Sequence, residues 1–429
     1  MSALADDFDL QAAENKAVQR VAVIAYHSSP LHEPGVGDAG GMTIYVRSLA
    51  RALAQKGVHT DIFTRATDVS PSVTELFPGV RVISIEAGPR DEIPKEGLER
   101  FVGDFVTGVR TFAIAQRASY DVIHSHYWQS GLAAMPLALQ WNVPIVHSHH
   151  TLAAVKNDSL PPGDDPEPQR RIDGERKVID AASVLVASSS EEMEQLACLY
   201  GAPHDNLTTI HPGVDHELFN PGDQDEARAV LGLGEGRFIL HVGRIQRLKG
   251  IDLAIRSLAH LGPEAGAPTL LVVGGPSGVA GASELERLAE LATDLGVRDR
   301  VRFLGPQPHA SLPAYYRAAD VVVVCSHSES FGLAALEAHA CATPVVATAV
   351  GGLKHIVQDG QSGNLIATRD PRTFAARLAP LLRDGAMRQR WSMAAAGASM
   401  SFSWERSASE FLELYECLVS EEFVEVCTC

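Results

Sequence analysis

The feature that most constrains this chain is a recurring alternation. Short apolar runs rich in β-branched residues alternate with amphipathic segments, and most runs end in a polar or glycine-rich loop. Arg20 to Tyr26 (RVAVIAY) is nearly all apolar, as expected for a strand buried on both faces of a parallel sheet. His59–Thr64, Val80–Ile85, Val122–His126, Ile145–Ser148 and Val184–Ser188 repeat the pattern. A second series follows: Phe238–Val242, Leu270–Val273, Val301–Leu304, Val321–Cys325 and Val345–Thr348. Strands alternating with helical patterns predict an α/β chain. Between the series, the turn-rich His211–Asp215 and Phe219–Gly222 read as an interdomain linker. The expected layout is a flexible extension over 1–19 and a Rossmann-like domain over 20–213. A second such domain covers 214–403, an amphipathic helix over 404–420 packs back on the first, and 421–429 is a tail.

The net charge of −17 argues against nucleic acid as a partner, which would need a basic footprint. It also requires any phosphate-bearing substrate to be met by locally gathered Arg and Lys. The first 19 residues lack a basic region and a long apolar core, and no uninterrupted apolar stretch is long enough to span a bilayer. A cytoplasmic protein without stable membrane insertion is expected. Six scattered cysteines lack zinc-ligand spacing and read as reduced thiols, with Cys427 and Cys429 in a frayed tail.

Two Rossmann-like halves place a ligand crevice at the carboxyl ends of the strands. The loop after the first strand carries His27 and then a glycine run, Gly35 to Gly41. Glycines at a helix start let backbone N–H groups approach a phosphate closely, although the run is no GxGxxG match. His126-Tyr127-Trp128 and His147-Ser148-His149-His150-Thr151 follow two other strands. Adjacent strand residues point to opposite faces, so the His run makes a poor metal site and no metal ligand is assigned. Asn157 to Pro168, acidic and proline-rich, reads as a mobile loop before Arg170 and Arg171.

The chemistry concentrates in Ser326–Ala338 (SHSESFGLAALEA), a strand–turn–helix junction with Glu329 before the helix and Glu337 inside it. Such a helix start attracts anions, so the two carboxylates suit hydroxyl groups better than a phosphate. The missing positive charge stands in Gly243-Arg244-x4-Lys249-Gly250. Together these motifs resemble the retaining sugar-nucleotide glycosyltransferases of GT-B fold. The stretches HSSPLHEPGVGDAGGM, HSHYWQSG, HTLAAVKN and GGPSG make the chain, from Arg20 to the Trp404 helix, similar to the inositol-phosphate branch that opens mycothiol synthesis.

That resemblance implies two Rossmann-like domains facing across a cleft and metal-independent chemistry with no cofactor. The substrate donor would be a nucleotide sugar, most readily UDP-linked, with GDP as the alternative. Arg244 and Lys249 would neutralise the diphosphate, a forked guanidinium beside a point ammonium. Gly41 would offer a backbone N–H to the same group. Glu329, with Ser330 and the backbone at Phe331 and Gly332, would hold the donor sugar. Glu337 would accept the ribose hydroxyls, and His150 would touch the transferred sugar. Lys95, Tyr127, Thr151 and Arg171 would grip an acceptor phosphate, beside His27 and Thr43. Thr43 stands where the branch carries Asn, so a specialised-metabolism relative using another acceptor, such as an aminocyclitol or a thiol, is the alternative. A sucrose-phosphate-synthase-like activity is a weaker one, and the intact motifs argue against a silent binding protein. The resemblance also suggests a homodimer.

Overall fold

The computed structural model describes residues 17–35, 39–67, 72–91, 93–278 and 281–420. The first sixteen residues, Gly37 of the glycine run and the tail with Cys427 and Cys429 lie outside the described residues.

The expected strands form, in chain order, β1 (Arg20–Ile24), β2 (His59–Arg65), β3 (Val73–Phe77), β4 (Val80–Ile85), β5 (Val122–His126), β6 (Ile145–Ser148), β7 (Val184–Ala187) and β8 (Leu207–Thr209). They make one sheet ordered β3-β4-β2-β1-β5-β6-β7-β8, in which only β3 runs antiparallel to its neighbour. The second sheet holds β9 (Phe238–Val242), β10 (Thr269–Val273), β11 (Val301–Gly305), β12 (Val321–Val324), β13 (Val345–Thr348) and β14 (Gly363–Ile366). Its order is β11-β10-β9-β12-β13-β14, all parallel. This is the α/β architecture the alternation predicts. Sequence reading passed over β3, β8 and β14, and all three are sheet edges. The edges β3 and β8 are only partly buried and need not be apolar, while β14 is buried but short and opens on Gly363-Asn364, so VTELF, LTT and GNLI carry little signal.

Burial on both faces explains the apolar runs. In β1, Ala22 and Ile24 pack with Phe105, Val109 and Leu137 of the helices on one face. Val21 and Val23 pack with Leu49, Leu53, Phe411 and Tyr415 on the other. The same two-residue period splits β12: Val321 and Val323 join Ile255, Leu288 and Phe374, while Val322 and Val324 join Tyr316 and Leu336. The last helix, Trp404–Val419, lies on the first sheet, with Trp404, Phe411 and Tyr415 buried beside the Gly41–Gln55 helix. The Tyr415 hydroxyl meets His124 Nδ1 of β5 at 2.7 Å.

The topology selects where a ligand can sit. In the first sheet the chain builds outward from β1 through β2 and returns on the other side of β1 as β5. In the second it does the same around β9 and β12. Each reversal opens a crevice at the carboxyl ends of the flanking strands. His27 follows β1, Tyr127 follows β5, Arg244 to Lys249 follow β9, and Ser326 to Gly332 follow β12.

Candidate active site

On the second domain, β9 runs out through Gly243 into a single helical turn, Arg247–Lys249, closed by Gly250. Gly250 has φ +63°, and an added Cβ would lie 2.0 Å from the Cys325 carbonyl oxygen. Only glycine permits this approach, which sets the Arg244–Lys249 loop against the end of β12. Lys249 Nζ then reaches Glu329 Oε2 at 2.7 Å, and Ser326 Oγ donates to the same oxygen at 3.0 Å. Arg244 Nη1 donates to Ser277 Oγ at 3.2 Å, and Gln246 shares that hydroxyl. Ser277 belongs to the GGPSG stretch, whose role the sequence alone did not separate.

The two carboxylates of the SESFGLAALEA stretch divide. Glu329 is half-buried on the turn. Glu337, on the Leu333–Ala340 helix, is only 5% exposed, with Oε1 2.8 Å from His309 Nε2 and Oε2 accepting from the Tyr316 hydroxyl at 2.8 Å. Burial alone would lower the His309 pKa, but the adjacent Glu337 carboxylate raises it on balance. A carboxylate has about four lone-pair directions, so Glu337 keeps accepting capacity beyond these two bonds. Neither His309 nor Tyr316 was singled out by the sequence, because they lie 28 and 21 residues away from Glu337. The Phe331 side chain is buried, 5.8 Å from the Phe402 ring, so what this position offers the cleft is backbone.

Ser330 turns its polar groups to the other domain. Its hydroxyl donates to the His150 carbonyl, and its own carbonyl accepts from Ser189 Oγ at 3.1 Å. Nearby, Glu191 accepts from the Gly351 N–H at 3.1 Å and pairs with Lys354 at 2.6 Å. The donor-side loop is thus tied across the cleft. On the facing side, the Gly41–Gln55 helix starts at Gly40 with no side-chain cap, leaving its first N–H groups open to an anion. A Cβ on Gly40 would lie 3.3 Å from Arg244 Nε, and one on Gly41 would lie 3.6 Å from Leu333.

The first-domain residues form a connected cluster. Arg171, 3% exposed, donates through Nε to Glu175 at 2.8 Å and through Nη2 to both Thr151 oxygens at 3.0 Å. Its guanidinium lies 5.0 Å from the Tyr127 ring centre, and Tyr127 packs on His27 at 4.4 Å. Tyr127 adopts φ +75°, and burial raises its hydroxyl to about 12, so it remains a neutral donor. His27 is held down to about 3, first by burial, then by the fields of Lys95, His150, Arg171 and Arg244. Across the cleft, Arg244 approaches this side at Gly40, and the Ser330 hydroxyl reaches the His150 carbonyl. Thr43 is buried instead, with its hydroxyl 3.0 Å from Ser28 Oγ.

His150 also sits at φ +60°, with Nε2 2.9 Å from His126 Nδ1. Burial lowers His150 to about 3 and drives His126 well down, so both are neutral hydrogen-bonding groups near neutral pH. Among the described residues, no group of three or more His, Cys, Asp or Glu side chains is arranged to hold a metal ion. His124, His126, His147 and His150 pair with each other or with Ser125, Ser148 and Tyr415.

One expectation is corrected. The Asn157–Pro168 segment is held rather than mobile. Asn157 and Asp158 end the Ala153–Asp158 helix, and Asn157 clamps the Glu167 backbone at 2.7 Å and 3.3 Å. Glu167 pairs with Lys156 and Arg171, and Arg247 of the second domain donates to the Pro162 carbonyl at 2.8 Å. Its proline-rich composition conceals these charged anchors.

Two crevices with cations and carboxylates gathered at their strand ends suit transfer of a sugar from a phosphate leaving group. Residues 40–213 match the "Glycosyl transferase 4-like domain" and residues 223–397 match "Glycosyl transferases group 1". The chain belongs to the group 1 glycosyltransferases, enzymes that use nucleotide-sugar donors. It is 47% identical to the D-inositol 3-phosphate glycosyltransferase of Frankia alni over 93% of this chain and all of that one. Similarity to the protein of that name from Acidothermus cellulolyticus is 46%, over 94% of this chain and 91% of the other. Among solved structures, sucrose-phosphate synthase from Thermosynechococcus elongatus superposes with a TM-score of 0.86 at 34% identity, covering 93% of this chain and 99% of that one. The architecture is therefore GT-B. Among the described residues, no helix is long and apolar enough to cross a membrane.

Proposed function

We propose that the protein transfers a sugar, with retention at the anomeric carbon, from a UDP-sugar to a small anionic acceptor. UDP-N-acetylglucosamine and inositol 3-phosphate are the leading pair, the acceptor suggested by the names of the relatives. The observation that carries this reading is the approach of Arg244 to the uncapped helix start at Gly40, with Lys249 and Glu329 paired on the same side of the cleft. A diphosphate leaving group would lie between Arg244, Lys249 and the open helix start at Gly41. Glu329 would hold sugar hydroxyls, Glu337 the ribose, and neutral His150 a sugar hydroxyl without adding charge. Lys95, Tyr127, Thr151 and Arg171 would take the acceptor phosphate.

The bond from the anomeric carbon to the diphosphate breaks as the acceptor oxygen attacks the same face. The acceptor's hydroxyl proton passes to the departing phosphate oxygen. Catalysis is then leaving-group stabilisation and positioning, which needs no nucleophilic side chain. The reaction would run in the cytoplasm, as a homodimer, without a metal.

Incubation with UDP-N-acetylglucosamine and inositol 3-phosphate should release UDP and give a product whose anomeric proton coupling matches that of the donor. An inverted coupling refutes retention. A second reading, another acceptor in specialised metabolism, draws on the buried Thr43–Ser28 contact, which offers no amide to an inositol ring. Transfer to an aminocyclitol or a thiol, with none to inositol 3-phosphate, would favour it.

A further inference from the structure

The acceptor cluster holds a carboxylate that the proposed reaction does not use. Glu167 places Oε2 3.0 Å from Arg171 Nη1, while Oε1 pairs with Lys156. It is 15% exposed, and its backbone is fixed by Asn157 between Pro166 and Pro168. Burial would raise its pKa, yet Arg171, Lys156 and Lys95 hold it down to about 2, so it stays ionised. The pocket between Lys95, Tyr127, Glu167 and Arg171 retains only about 10 Å³. That is room for about one water. A phosphate and the Glu167 carboxylate therefore compete for the same space and the same donors.

Charge leads to the same conclusion. Lys95, Lys156 and Arg171 supply three positive charges, and Glu167 and the buried Glu175 supply two negative ones. The cluster carries one net positive charge with Glu167 in place and two with it withdrawn. Only the second matches a phosphate dianion.

We propose that Glu167 is an acceptor-specificity residue, a built-in counter-ion that occupies the anion subsite when it is empty and gives way to an acceptor phosphate. Glu175 does not share this role: it is fully buried and also accepts from the Ala153 N–H. An uncharged acceptor cannot compensate the cations, so it leaves Glu167 in place and is excluded. The inference rests on the acceptor reading above.

The test titrates inorganic phosphate into wild type, Glu167→Gln and Glu167→Ala by calorimetry, with melting temperatures taken with and without phosphate. Removing an internal competitor should tighten phosphate binding about fivefold or more in both variants. Both should melt lower than wild type without phosphate and recover with it. With inositol 3-phosphate as acceptor, KM should fall by a similar factor. Equal or weaker phosphate binding in the variants, or no binding in any of the three proteins, overturns the proposal. If no protein uses inositol 3-phosphate, the acceptor reading falls, and the phosphate titration still decides the role of Glu167.

Discussion

The two halves of the cleft balance charge by different means. On the second domain, Lys249 and Glu329, both assigned to the proposed site, are each half-buried and each serves as the other's partner. A ligand with phosphate at one end and hydroxyls at the other satisfies both groups as it separates them. On the first domain, Arg171 is 3% exposed and locked to Glu175, which is fully buried. There the charge is set by scaffolding, and Glu167 is the adjustable part. The second-domain pair is thus the more open to rearrangement, and the first domain presents a nearly fixed cation.

The sharpest way to break this contrast is to remove the fixed partner. Glu175→Ala leaves Arg171 buried with one carboxylate fewer, and deprives the Ala153 N–H and the Tyr200 hydroxyl of their acceptor. Breaking a buried pair costs about 3–5 kcal/mol, so urea unfolding should show a loss of that size. Glu329→Gln, at the more exposed pair, should cost less than about 1 kcal/mol. Comparable losses from the two would abolish the distinction.

Activity should follow the reverse order. Arg244→Ala and Lys249→Ala should each lower kcat about 10²- to 10³-fold, the usual cost of removing a group that stabilises developing charge. Their circular dichroism spectra should match wild type. Near-normal turnover in both would remove leaving-group stabilisation from the mechanism.

The halves should also differ in acid. His27, His124, His149 and His150 of the first domain are lowered to about 3 by burial, from an ordinary value of 6.5. In the second, His241, His327 and His339 fall to about 4. Between the folded and unfolded values the unfolded chain binds more protons, so stability rises with pH. The contribution is complete above about 6.5 and is lost as pH falls toward 3. Each such group costs up to about 1.4 kcal/mol per pH unit in that window. With His126 and His147 also lowered, six such histidines stand in the first domain against four in the second, His355 included. Peptide-resolved hydrogen exchange, corrected for intrinsic pH dependence, should therefore show β1, β5 and β6 losing protection before β9 and β12 between pH 7 and 5. The opposite order would contradict the assignment.

How much of this was legible depends on sequence distance. The donor motifs lie within continuous stretches, because a strand, its loop and the following helix start are consecutive in an α/β unit. Arg244, Lys249 and Glu329 therefore announced themselves, and so did both sheets through their central strands. The edges β3, β8 and β14 did not, whereas the edge β11 did, because its Val301-Arg302-Phe303-Leu304 run is largely apolar. Glu167 lies four residues before Arg171, but the proline-rich composition masked that spacing, and Lys156 joins the pair only when two helices flank the turn. The His126–His150 contact likewise needs β5 beside β6. Tertiary pairings of this kind leave no spacing to read.

The smallest predicted effect concerns Thr43, and it asks whether the acceptor side is as fixed as its charges. Thr43 is 1% exposed and bonded to Ser28 on the loop after β1, so its hydroxyl is already engaged. Thr43→Asn adds an amide that is larger than the space a buried threonine fills, and the added donor and acceptor must turn toward the cleft or remain unpaired. If inositol 3-phosphate is the acceptor, its KM should fall about threefold in the variant, near the low end of what one added hydrogen bond contributes. The donor KM should move less, because the Thr43 hydroxyl turns to Ser28 rather than to the proposed diphosphate site at Gly41. A change in donor KM with none for the acceptor would mean that position 43 acts through the start of the Gly41–Gln55 helix. The separation of the two halves would then fail at a point where they meet.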